Sequence, residues 1–571
     1  MSEDIVSDVR ERYQFTWPDK IKSKILANSP ISKTLRPCRE ESVNFDDTKN
    51  LYIEGDNLDA LKLLRETYLS KIKMIYIDPP YNTGNDFVYS DRFTSTIDEY
   101  KKRGNEYDDI GNKLFKNTDT NGRFHTDWLN MMYPRLRLAR DLLSDDGVLF
   151  VSIDDNEAHN LRKICDEVFG EGNFIAQICH KSRASISNDK IISQNHNIIM
   201  FYAKSHEHIH TNRRYIGLDP NLDGFDMDDN DGQGPYRLVP VDGPGGATKG
   251  NPYYEFLGIE NFWRFSKSTM QEKYDEGHIV KRGNGLSQKY YLSVAKERRR
   301  TDNTWWDDGG LTSTATSRLR KLMGNKSFDT PKPVELIKRM LKLVTFFDKD
   351  STILDFFSGS ATTAHAVMEL NSEDGGNRKY IMIQLPEKTD EESDAYLSGY
   401  KNICEIGKER IRRAGKLILE ESEQHRLTAN GFSKDLDVGF RVLKIDSSNM
   451  KDIYYMPDET FKHGLDELLD NVKEDRTSED LLFQVMLELG VELSSTIEEY
   501  VIDEKKVFGV DEGYLIACFD DNVSENVVTE IAKRRPYYAV MRDNSMSDDG
   551  VAVNFEQIFN TYSPETIRRI L

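Results

Sequence analysis

The chain has 571 residues, 38% of them hydrophobic, and it carries a formal net charge of −21. This length gives room for about two to four domains. The acid excess excludes a uniformly basic nucleic-acid-binding protein, so any DNA contact requires the basic residues to lie together on one surface. Basic clusters occur at residues 296–300, 318–321 and 408–413, although such a cluster is more often a solvated helix face.

The five cysteines are scattered and form no CxxC pair, which argues against a disulfide framework and against a zinc site. The first residues show no basic-then-apolar signal pattern, and no apolar run reaches membrane-spanning length. These features predict a cytoplasmic protein that holds no metal and contacts no membrane.

Residues 1–45 are predicted to form a helical arm that packs on the main domain. A strand at 51–54 then turns at Gly55, and Asp56 follows. Asp56 has two interpretations: it caps the next helix, or its carboxylate accepts a hydrogen bond from a ligand amino group at the strand's carboxyl end.

An apolar run at 72–77 is predicted to be a buried strand, and it ends at Asp78-Pro79-Pro80-Tyr81. The two prolines stop the strand because neither can donate a ladder hydrogen bond. The Asp78 carboxylate and the Pro79 carbonyl can both accept from one amino group, and the Tyr81 ring can stack on an extruded base. Four residues alone also fit a rigid strand-to-loop turn.

This tetrapeptide resembles the catalytic motif of DNA amino-methyltransferases, which methylate the exocyclic nitrogen of adenine or cytosine. Asp-Pro-Pro-Tyr is the form typical of the adenine enzymes. The resemblance implies that Asp78, Pro79, Pro80 and Tyr81 are catalytic and that Asp56 lies beside the cofactor's adenine. Pro37-Cys38 is similar to the nucleophile dipeptide of cytosine carbon-5 methyltransferases, but without supporting context Cys38 is interpreted as structural.

Residues 82–125 are polar, and a loop of this length is often functional, so it is expected to border the target base or the DNA. Helical and strand patterns alternate through residue 204, which predicts an α/β fold with a doubly wound, Rossmann-like, mainly parallel sheet. In the last strand of this part, Phe201 or Tyr202 either packs in the core or also walls the base pocket.

Residues 205–305 are rich in Gly, Pro, Asp and Tyr, and they interrupt the alternating pattern. Aromatic and basic side chains interleaved on an irregular scaffold can contact both bases and phosphates. The segment resembles the inserted target-recognition domain of the family, and a structural insertion without DNA contact is the alternative. The DNA-binding candidates are Arg264, Lys296, Arg298, Arg299 and Arg300.

A second decisive stretch, residues 351–364, is predicted to be a strand ending at Asp355, a turn of small residues and a helix beginning near Thr362. Small residues let a ligand approach the backbone, and a helix N-terminus favours an anionic group. The methyl-donor cofactor of the methyltransferases, a sulfonium compound, has a carboxylate that could bind this N-terminus and an ammonium that could pair with Asp355. The GxGxxG pattern of a nicotinamide site is absent.

This stretch resembles the family's cofactor loop, Asp-Pro-Phe-x-Gly-Ser-Gly-Thr-Thr, with Phe356 in place of Pro and Ala361 in place of the second Gly. Gln384 stands where the family usually has an acidic residue for the ribose hydroxyls, with Glu387 nearby. The resemblance implies S-adenosyl-L-methionine as the cofactor. The cofactor-binding candidates are Asp56, Lys332, Asp355, Phe357, Gly359, Ala361 and Gln384.

The catalytic motif precedes the insertion and the cofactor loop follows it, which resembles the β group of amino-methyltransferases. The wider match is similar to the modification (Mod) subunits of type III restriction-modification systems. It implies a catalytic half at 46–204, a cofactor half at 306–420 and a C-terminal α/β domain at 421–571 for subunit or partner contacts. It also implies double-stranded DNA, a homodimer and a separate Res subunit with helicase and nuclease activities, since this chain has no Walker loop.

The resulting hypothesis is direct transfer of a methyl group to N6 of a flipped adenine, without a covalent enzyme intermediate. Four alternatives stay open: the same chemistry on cytosine N4, an RNA amino-methyltransferase, an orphan enzyme without a nuclease partner, and a non-catalytic DNA-binding subunit.

Overall fold

The computed structural model describes residues 14–84, 87–89, 114–116, 122–186, 191–428, 436–451, 471–542 and 549–571. The chain divides into two compact units. The first comprises Met1–His210, Asn303–Leu341 and Asp348–Leu571, and the second comprises Thr211–Asp302 and Lys342–Phe347. The residue range of the second unit largely coincides with the insertion predicted at 205–305. Most of the polar loop predicted at 82–125 lies outside the described residues.

The strands, numbered along the chain, are β1 (Lys33–Pro37), β2 (Leu51–Glu54), β3 (Ile72–Ile77), β4 (Phe87–Tyr89), β5 (Leu114–Lys116), β6 (Leu143–Ile153), β7 (Phe174–Lys181), β8 (His196–Ala203), β9 (Tyr236–Pro240), β10 (Tyr253–Phe256), β11 (Ile259–Phe262), β12 (Ile279–Arg282), β13 (Gly285–Tyr291), β14 (Trp305–Trp306), β15 (Thr352–Asp355), β16 (Lys379–Gln384), β17 (Arg441–Ser447), β18 (Ile497–Ile502), β19 (Lys505–Val510), β20 (Leu515–Cys518), β21 (Tyr538–Met541) and β22 (Ile567–Ile570).

The α-helices are α1 (Lys20–Asn28), α2 (Asn57–Tyr68), α3 (Phe124–Leu142), α4 (Ala158–Phe169), α5 (His206–Thr211), α6 (Lys267–Asp275), α7 (Leu292–Lys296), α8 (Thr312–Met323), α9 (Val334–Val344), α10 (Thr362–Asp374), α11 (Asp394–Leu397), α12 (Ile403–Thr428), α13 (Ser478–Leu489), α14 (Glu525–Lys533) and α15 (Asp549–Tyr562).

The main sheet of the first unit has the order β1-β17-β2-β16-β15-β3-β6-β8-β7-β14. The six strands from β17 to β6 are mutually parallel, whereas β1 and β8 pair antiparallel with their inner neighbours. This is the predicted doubly wound α/β sheet, and the prediction is confirmed.

The direction of the chain through this sheet reverses between β3 and β15. From β2 the chain passes through α2 to β3 and through α3 to β6, whereas from β15 it passes through α10 to β16 and through α12 to β17. Because crossovers between parallel strands are right-handed, helices that lead in opposite directions lie on opposite faces of the sheet. The carboxyl ends of β3 and β15 therefore border the crevice where open α/β sheets bind ligands.

Each face of the sheet is covered by apolar helix surfaces. One core cluster joins the strands to residues of α2, α3, α4 and α13. The apolar residues of α9, α10 and most of those of α12 are also buried. Residues 1–13 of the predicted N-terminal arm lie outside the described residues. The part of the arm around α1 contacts α3, since Trp17 Nε1 and Ser23 Oγ both donate to Asn130 Oδ1 at 2.7 Å.

The structure departs from the predicted boundaries at residues 45 and 420. β1, which precedes residue 45, and β17, which follows residue 420, lie at one edge of the main sheet. The sheet therefore includes residues outside both predicted boundaries. The long charged helix α12 separates β17 from the other strands in sequence, which made β17 look like the start of a new domain. Arg441, fully buried, ties the parts together by donating to the carbonyls of Phe45, Asp46 and Leu493.

The rest of the C-terminal region forms a second small sheet with the order β18-β19-β20-β21-β22. Apolar residues of β19 to β21, α14 and α15 form their own core cluster. The second unit has an antiparallel sheet of β12, β13 and β9 and a hairpin of β10 and β11. Its core surrounds Trp263, whose indole donates to the Tyr254 carbonyl at 2.8 Å.

Among the described residues, no helix combines the length and the apolar character that a membrane crossing requires.

Gly55 allows β2 and β17 to lie close together just before Asp56. Its φ is +149°, and a Cβ there would lie 2.7 Å from the Cβ of Ile445. We expect Gly55→Ala to lower the free energy of unfolding by about 1–3 kcal/mol through overpacking. The measurement is the thermal unfolding midpoint, which should fall below that of the unmodified chain.

Gly172→Ala is the matched control, because a Cβ at Gly172 meets no atom within 4 Å. Equal unfolding midpoints for the two variants would contradict the close approach at Gly55.

Candidate active site

The two motifs found in the sequence lie at one edge of the main sheet. β3 and β15 are parallel neighbours, with Ile75 opposite Leu354. Asp78 follows the end of β3, and Asp355 is the last residue of β15. The structure therefore brings together two segments that are more than 270 residues apart in sequence.

The Asp78 carboxylate is held by two side chains. Tyr81 Oη donates to Asp78 Oδ1 at 2.9 Å, and Lys332 Nζ lies 2.8 Å from Asp78 Oδ2. Burial, with a further contribution from the Asp78 carboxylate, raises the pKa of Tyr81 well above its usual value. The phenol therefore stays protonated and acts as a donor to Asp78.

The Tyr81 hydroxyl also accepts two hydrogen bonds. Lys332 Nζ donates to it at 2.7 Å and Asn197 Nδ2 at 3.2 Å. The Lys332 ammonium lies 4.9 Å from the centroid of the Tyr81 ring. These contacts fix the Tyr81 hydroxyl beside the Asp78 carboxylate.

The backbone around the motif is fixed by buried polar groups. Trp128 Nε1 donates to the Pro80 carbonyl at 2.8 Å. Asn82 has a φ of 58°, and its amide donates to Glu157 Oε1 at 2.6 Å. Glu157 is fully buried and also accepts from Asn160 at 2.8 Å. This network sets the path of the chain on leaving Tyr81.

The Asp355 carboxyl group lies buried below the small-residue turn. Thr363 Oγ1 donates to Asp355 Oδ2 at 2.6 Å, and the Phe357 amide donates to Asp355 Oδ1 at 3.1 Å. Burial raises the pKa of Asp355 to about 7, and the charge of Asp78 contributes in the same direction.

The turn itself approaches the left-handed region at two positions, Gly359 with a φ of 49° and Ala361 with a φ of 58°. Ala361 is the N-cap of α10 and makes no side-chain capping hydrogen bond. The first amides of a helix have no partners within the helix, so this N-terminus suits an anionic ligand group. The departure from Gly at Ala361 keeps the backbone conformation that a glycine would adopt.

Gln384 contacts the turn from the end of β16. Its side-chain oxygen accepts from the Gly359 amide at 2.7 Å, and its side-chain nitrogen donates to the Leu385 carbonyl at 3.2 Å. The nearby Glu387 is partly buried, and this burial raises the pKa of its carboxyl group.

Asp56 caps α2, as one of its two interpretations predicts. Its Oδ1 accepts from the amides of Leu58 at 2.8 Å and Asp59 at 3.2 Å. The neighbouring Asn57 donates to the Phe356 carbonyl at 2.8 Å and accepts from Arg135 Nε at 2.5 Å. Asn57 and the fully buried Arg135 thus connect the end of β2 to the turn after β15, a role that sequence reasoning missed.

Two of the basic clusters make polar contacts within the protein: residues of 408–413 are buried, whereas Arg318 of 318–321 pairs at the surface. Arg410 is buried and donates to Ser360 Oγ at 2.8 Å and to Thr362 Oγ1 at 2.7 Å, which supports the turn from behind. Lys408 is also buried and lies 2.8 Å from Glu54. Arg318 pairs with Glu335 at 2.6 Å.

Other candidates from the sequence take structural positions. Phe201 stacks on Phe150 with a centroid distance of 4.2 Å, and Tyr202 Oη donates to Asp166 at 2.6 Å, so both pack in the core. Cys38 is buried, which raises the pKa of its thiol to about 11 and disfavours the thiolate. Among the described residues, no group of three or more His, Cys, Asp and Glu side chains could hold a metal ion.

The DNA-binding candidates of the second unit fall into two classes. Lys296, Arg298 and Arg300 have exposed side chains, as has Arg264, whose Nε donates to the Asp242 carbonyl at 3.0 Å. The sequence of this unit contains fifteen Lys and Arg against fourteen Asp and Glu, so it lacks the acid excess of the chain as a whole.

Arg299 differs from these residues, and its assignment to DNA binding is corrected. Its side chain is 1% exposed, pairs with Asp219 at 2.7 Å and donates to the carbonyls of Gly217 and Lys342. The guanidinium also lies 3.8 Å from the centroid of the Phe346 ring. In the described structure, Arg299 is a packing residue because its donors are already engaged within the unit.

Comparison with known proteins identifies the family. Residues 72–397 match the family model described as DNA methylase. The chain is 34% identical over 457 residues to the Mod subunit of the type III restriction-modification enzyme StyLTI from Salmonella typhimurium (strain LT2), a match that covers 76% of this chain and 66% of that protein.

Two further relatives are also Mod subunits of type III restriction-modification enzymes. The chain is 33% identical to that of EcoPI from Escherichia phage P1, over 71% of this chain and 69% of the relative. It is 31% identical to that of EcoP15I from Escherichia coli, over 71% and 70% respectively. The matches thus span about two thirds of the length of these relatives. The chain therefore belongs to the DNA methylase family and is related within it to type III Mod subunits.

Proposed function

We propose that the chain is a site-specific DNA methyltransferase that transfers a methyl group from S-adenosyl-L-methionine to N6 of a flipped adenine. We infer further that it acts as the modification and specificity subunit of a type III restriction-modification system. The observation that carries this proposal is the position of both motifs beside the crevice between β3 and β15. Membership of the DNA methylase family supports the same reaction class.

The residues around the turn fit the amino-acid end of the cofactor. When bound, S-adenosyl-L-methionine supplies an electrophilic methyl group on a sulfonium sulfur. The Asp355 carboxylate attracts the ammonium group, and the N-terminus of α10 suits the carboxylate. Phe357, Gly359 and Ala361 shape the adjoining wall, because they line the turn between β15 and α10.

The remaining cofactor contacts come from the ends of the neighbouring strands. We assign binding of the ribose hydroxyls to Gln384, the last residue of β16. We assign binding of the adenine amino group to Asp56, which follows β2. Both side chains already have partners, the Gly359 amide for Gln384 and the first turn of α2 for Asp56. The side-chain oxygen of Gln384 has a second lone pair, and Asp56 has its Oδ2, which lies 3.4 Å from Arg135 Nη2, so each can accept a further bond.

The catalytic motif fits an extruded adenine. The Asp78 carboxylate and the Pro79 carbonyl accept from the two hydrogens of the amino group, and this directs the nitrogen lone pair towards the methyl donor. Tyr81 stacks on the base, and Pro80 stiffens the loop while Trp128 holds its carbonyl. Positioning of this kind contributes about 7–11 kcal/mol to lowering a bimolecular barrier. No covalent intermediate is required, in agreement with the buried Cys38 thiol.

The proposal includes partners. Double-stranded DNA is the substrate, and the exposed basic residues Arg264, Lys296, Arg298 and Arg300 of the second unit are the proposed phosphate and base contacts. A homodimer and a Res subunit with helicase and nuclease activities complete the proposed assembly. This role places the protein in the cytoplasm with the DNA that it modifies.

Asp78→Asn tests the catalytic motif. The amide presents one donor group where the carboxylate has only acceptors, so it opposes the target amino group. We expect kcat for methylation to fall by roughly 100- to 1,000-fold, as for other preorganised polar groups at a reacting atom. S-adenosyl-L-methionine affinity, measured by calorimetry, should stay within about threefold because Asp78 orients the base and not the cofactor.

Asp355 makes cofactor binding depend on pH. Its carboxyl group, with a pKa of about 7, is ionised above pH 7 and neutral below it. The neutral form cannot attract the cofactor's ammonium, so the Kd should rise as the pH falls from 8 to 6, approaching about tenfold per pH unit below 7. Titration calorimetry over this range measures the effect.

Asp355→Asn should bind weakly at every pH in this window and lose the dependence. Asp350→Asn, which changes an exposed carboxylate just before β15, should keep it. A pH dependence that persists in the Asp355 variant would assign the titration to another group.

The modified base distinguishes the proposal from its alternatives. We expect unmethylated bacterial DNA treated with the chain and S-adenosyl-L-methionine to contain N6-methyladenine on nucleoside digestion and mass analysis. N4-methylcytosine would instead favour the cytosine enzyme, and methylation of RNA in preference to duplex DNA would favour the RNA enzyme. The absence of transfer to any substrate would favour a non-catalytic DNA-binding subunit.

A further inference from the structure

Lys332 contacts the catalytic motif although the family resemblance groups it with the cofactor. Its Nζ lies 2.8 Å from Asp78 Oδ2 and 2.7 Å from Tyr81 Oη, and the side chain is 14% exposed. We propose that Lys332 is a positioning residue, which holds the Asp78 carboxylate and the Tyr81 ring in the arrangement that receives the target base. The proposal rests on the methyltransferase function proposed above.

The backbone that carries the Lys332 side chain is conformationally restricted. Lys332 stands between Pro331 and Pro333, both of which are buried, immediately before α9. Each proline fixes its own φ, and Pro333 also restricts the backbone of Lys332 itself. The flexible Lys332 side chain is thus attached to a stiff, buried backbone. Fewer backbone conformations are available in which the ammonium would lie away from Asp78.

The three polar groups form a closed set of hydrogen bonds. Tyr81 Oη donates to Asp78 Oδ1 and accepts from both Lys332 and Asn197, so the hydroxyl uses its one donor and two lone pairs. A change of the Tyr81 side chain to another χ1 rotamer would move Oη and break all three bonds. Both bonds from Lys332 come from its charged ammonium group, and hydrogen bonds of a charged donor are stronger than neutral ones.

This arrangement leaves room for the base to bind. An ionised carboxylate has about four lone-pair sites, and Tyr81 and Lys332 each use one. The Asp78 carboxylate can therefore accept from a target amino group while both existing contacts stay in place. The Pro79 carbonyl is the second acceptor, and Lys332 orients Asp78 without competing with the base.

Lys332→Met tests the proposal, because it keeps most of the aliphatic stem and removes the ammonium. We expect kcat for methylation of unmethylated bacterial DNA to fall by roughly 10- to 100-fold, the loss typical of a hydrogen bond to a charged group. The Kd for S-adenosyl-L-methionine, from titration calorimetry, should change by less than about threefold, since Lys332 acts on the base-binding side. Lys332→Arg should restore part of kcat, because it keeps the charge.

Lys326→Met is the matched control. Lys326 is an exposed lysine six positions earlier, paired with Asp329 at 2.7 Å, and its loss should leave kcat and Kd unchanged. The double variant Lys332→Met with Tyr81→Phe adds a second test. Because both changes break the same hydrogen bond, their effects on kcat should be less than multiplicative.

Two results would overturn the proposal. A Kd that rises as much as kcat/KM falls, with kcat retained at saturating cofactor, would make Lys332 a cofactor ligand. Unchanged kcat in both Lys332→Met and Lys332→Arg would remove any role. Failure of the proposed function is recognised separately, because the unmodified chain would then transfer no methyl group, and the calorimetric comparison would still report on cofactor binding.

Discussion

The pairing of β3 with β15 is the interaction on which the rest of the structure depends. These strands are neighbours in the sheet although the whole inserted unit separates them in sequence. The chain turns away from this pair in opposite directions, so the loops after both strands diverge and leave a crevice between them. For this reason Asp78 and Asp355 lie at the same edge of the sheet. The charge of Asp78 contributes to the raised pKa of the buried Asp355 carboxyl group.

Buried polar groups then fix each loop in its shape. Arg410 supports the turn at Ser360 and Thr362, and Asn57 with Arg135 ties that turn to the end of β2. On the other side of the crevice, Glu157 accepts a hydrogen bond from Asn82, just after the tetrapeptide at 78–81. Removing one partner from such a network leaves the other buried polar groups without a hydrogen bond in a low-dielectric interior. These residues therefore stabilise the geometry of the site as well as the fold.

Sequence reasoning predicted the sheet, the two motifs and the inserted unit because each has a local signal. Periodicity marks the strands and helices, and Pro79-Pro80 and the small residues of 358–361 mark the loops. The role of β17 was missed because α12 separates it from its partners, and Arg299 appeared available for DNA because burial has no local signature. The contact between Lys332 and Tyr81 spans 251 positions, and it arises only from tertiary packing.

A crystal structure of the chain with a duplex containing its methylation site and sinefungin, in which an amine replaces the transferable methyl, tests the central claim most directly. The account predicts the target adenine N6 within hydrogen-bond distance of the Asp78 carboxylate and the Pro79 carbonyl, and about 3–3.5 Å from the sinefungin amine. A cofactor analogue bound away from the turn between β15 and α10, or a target base that remains stacked in the duplex, would contradict it.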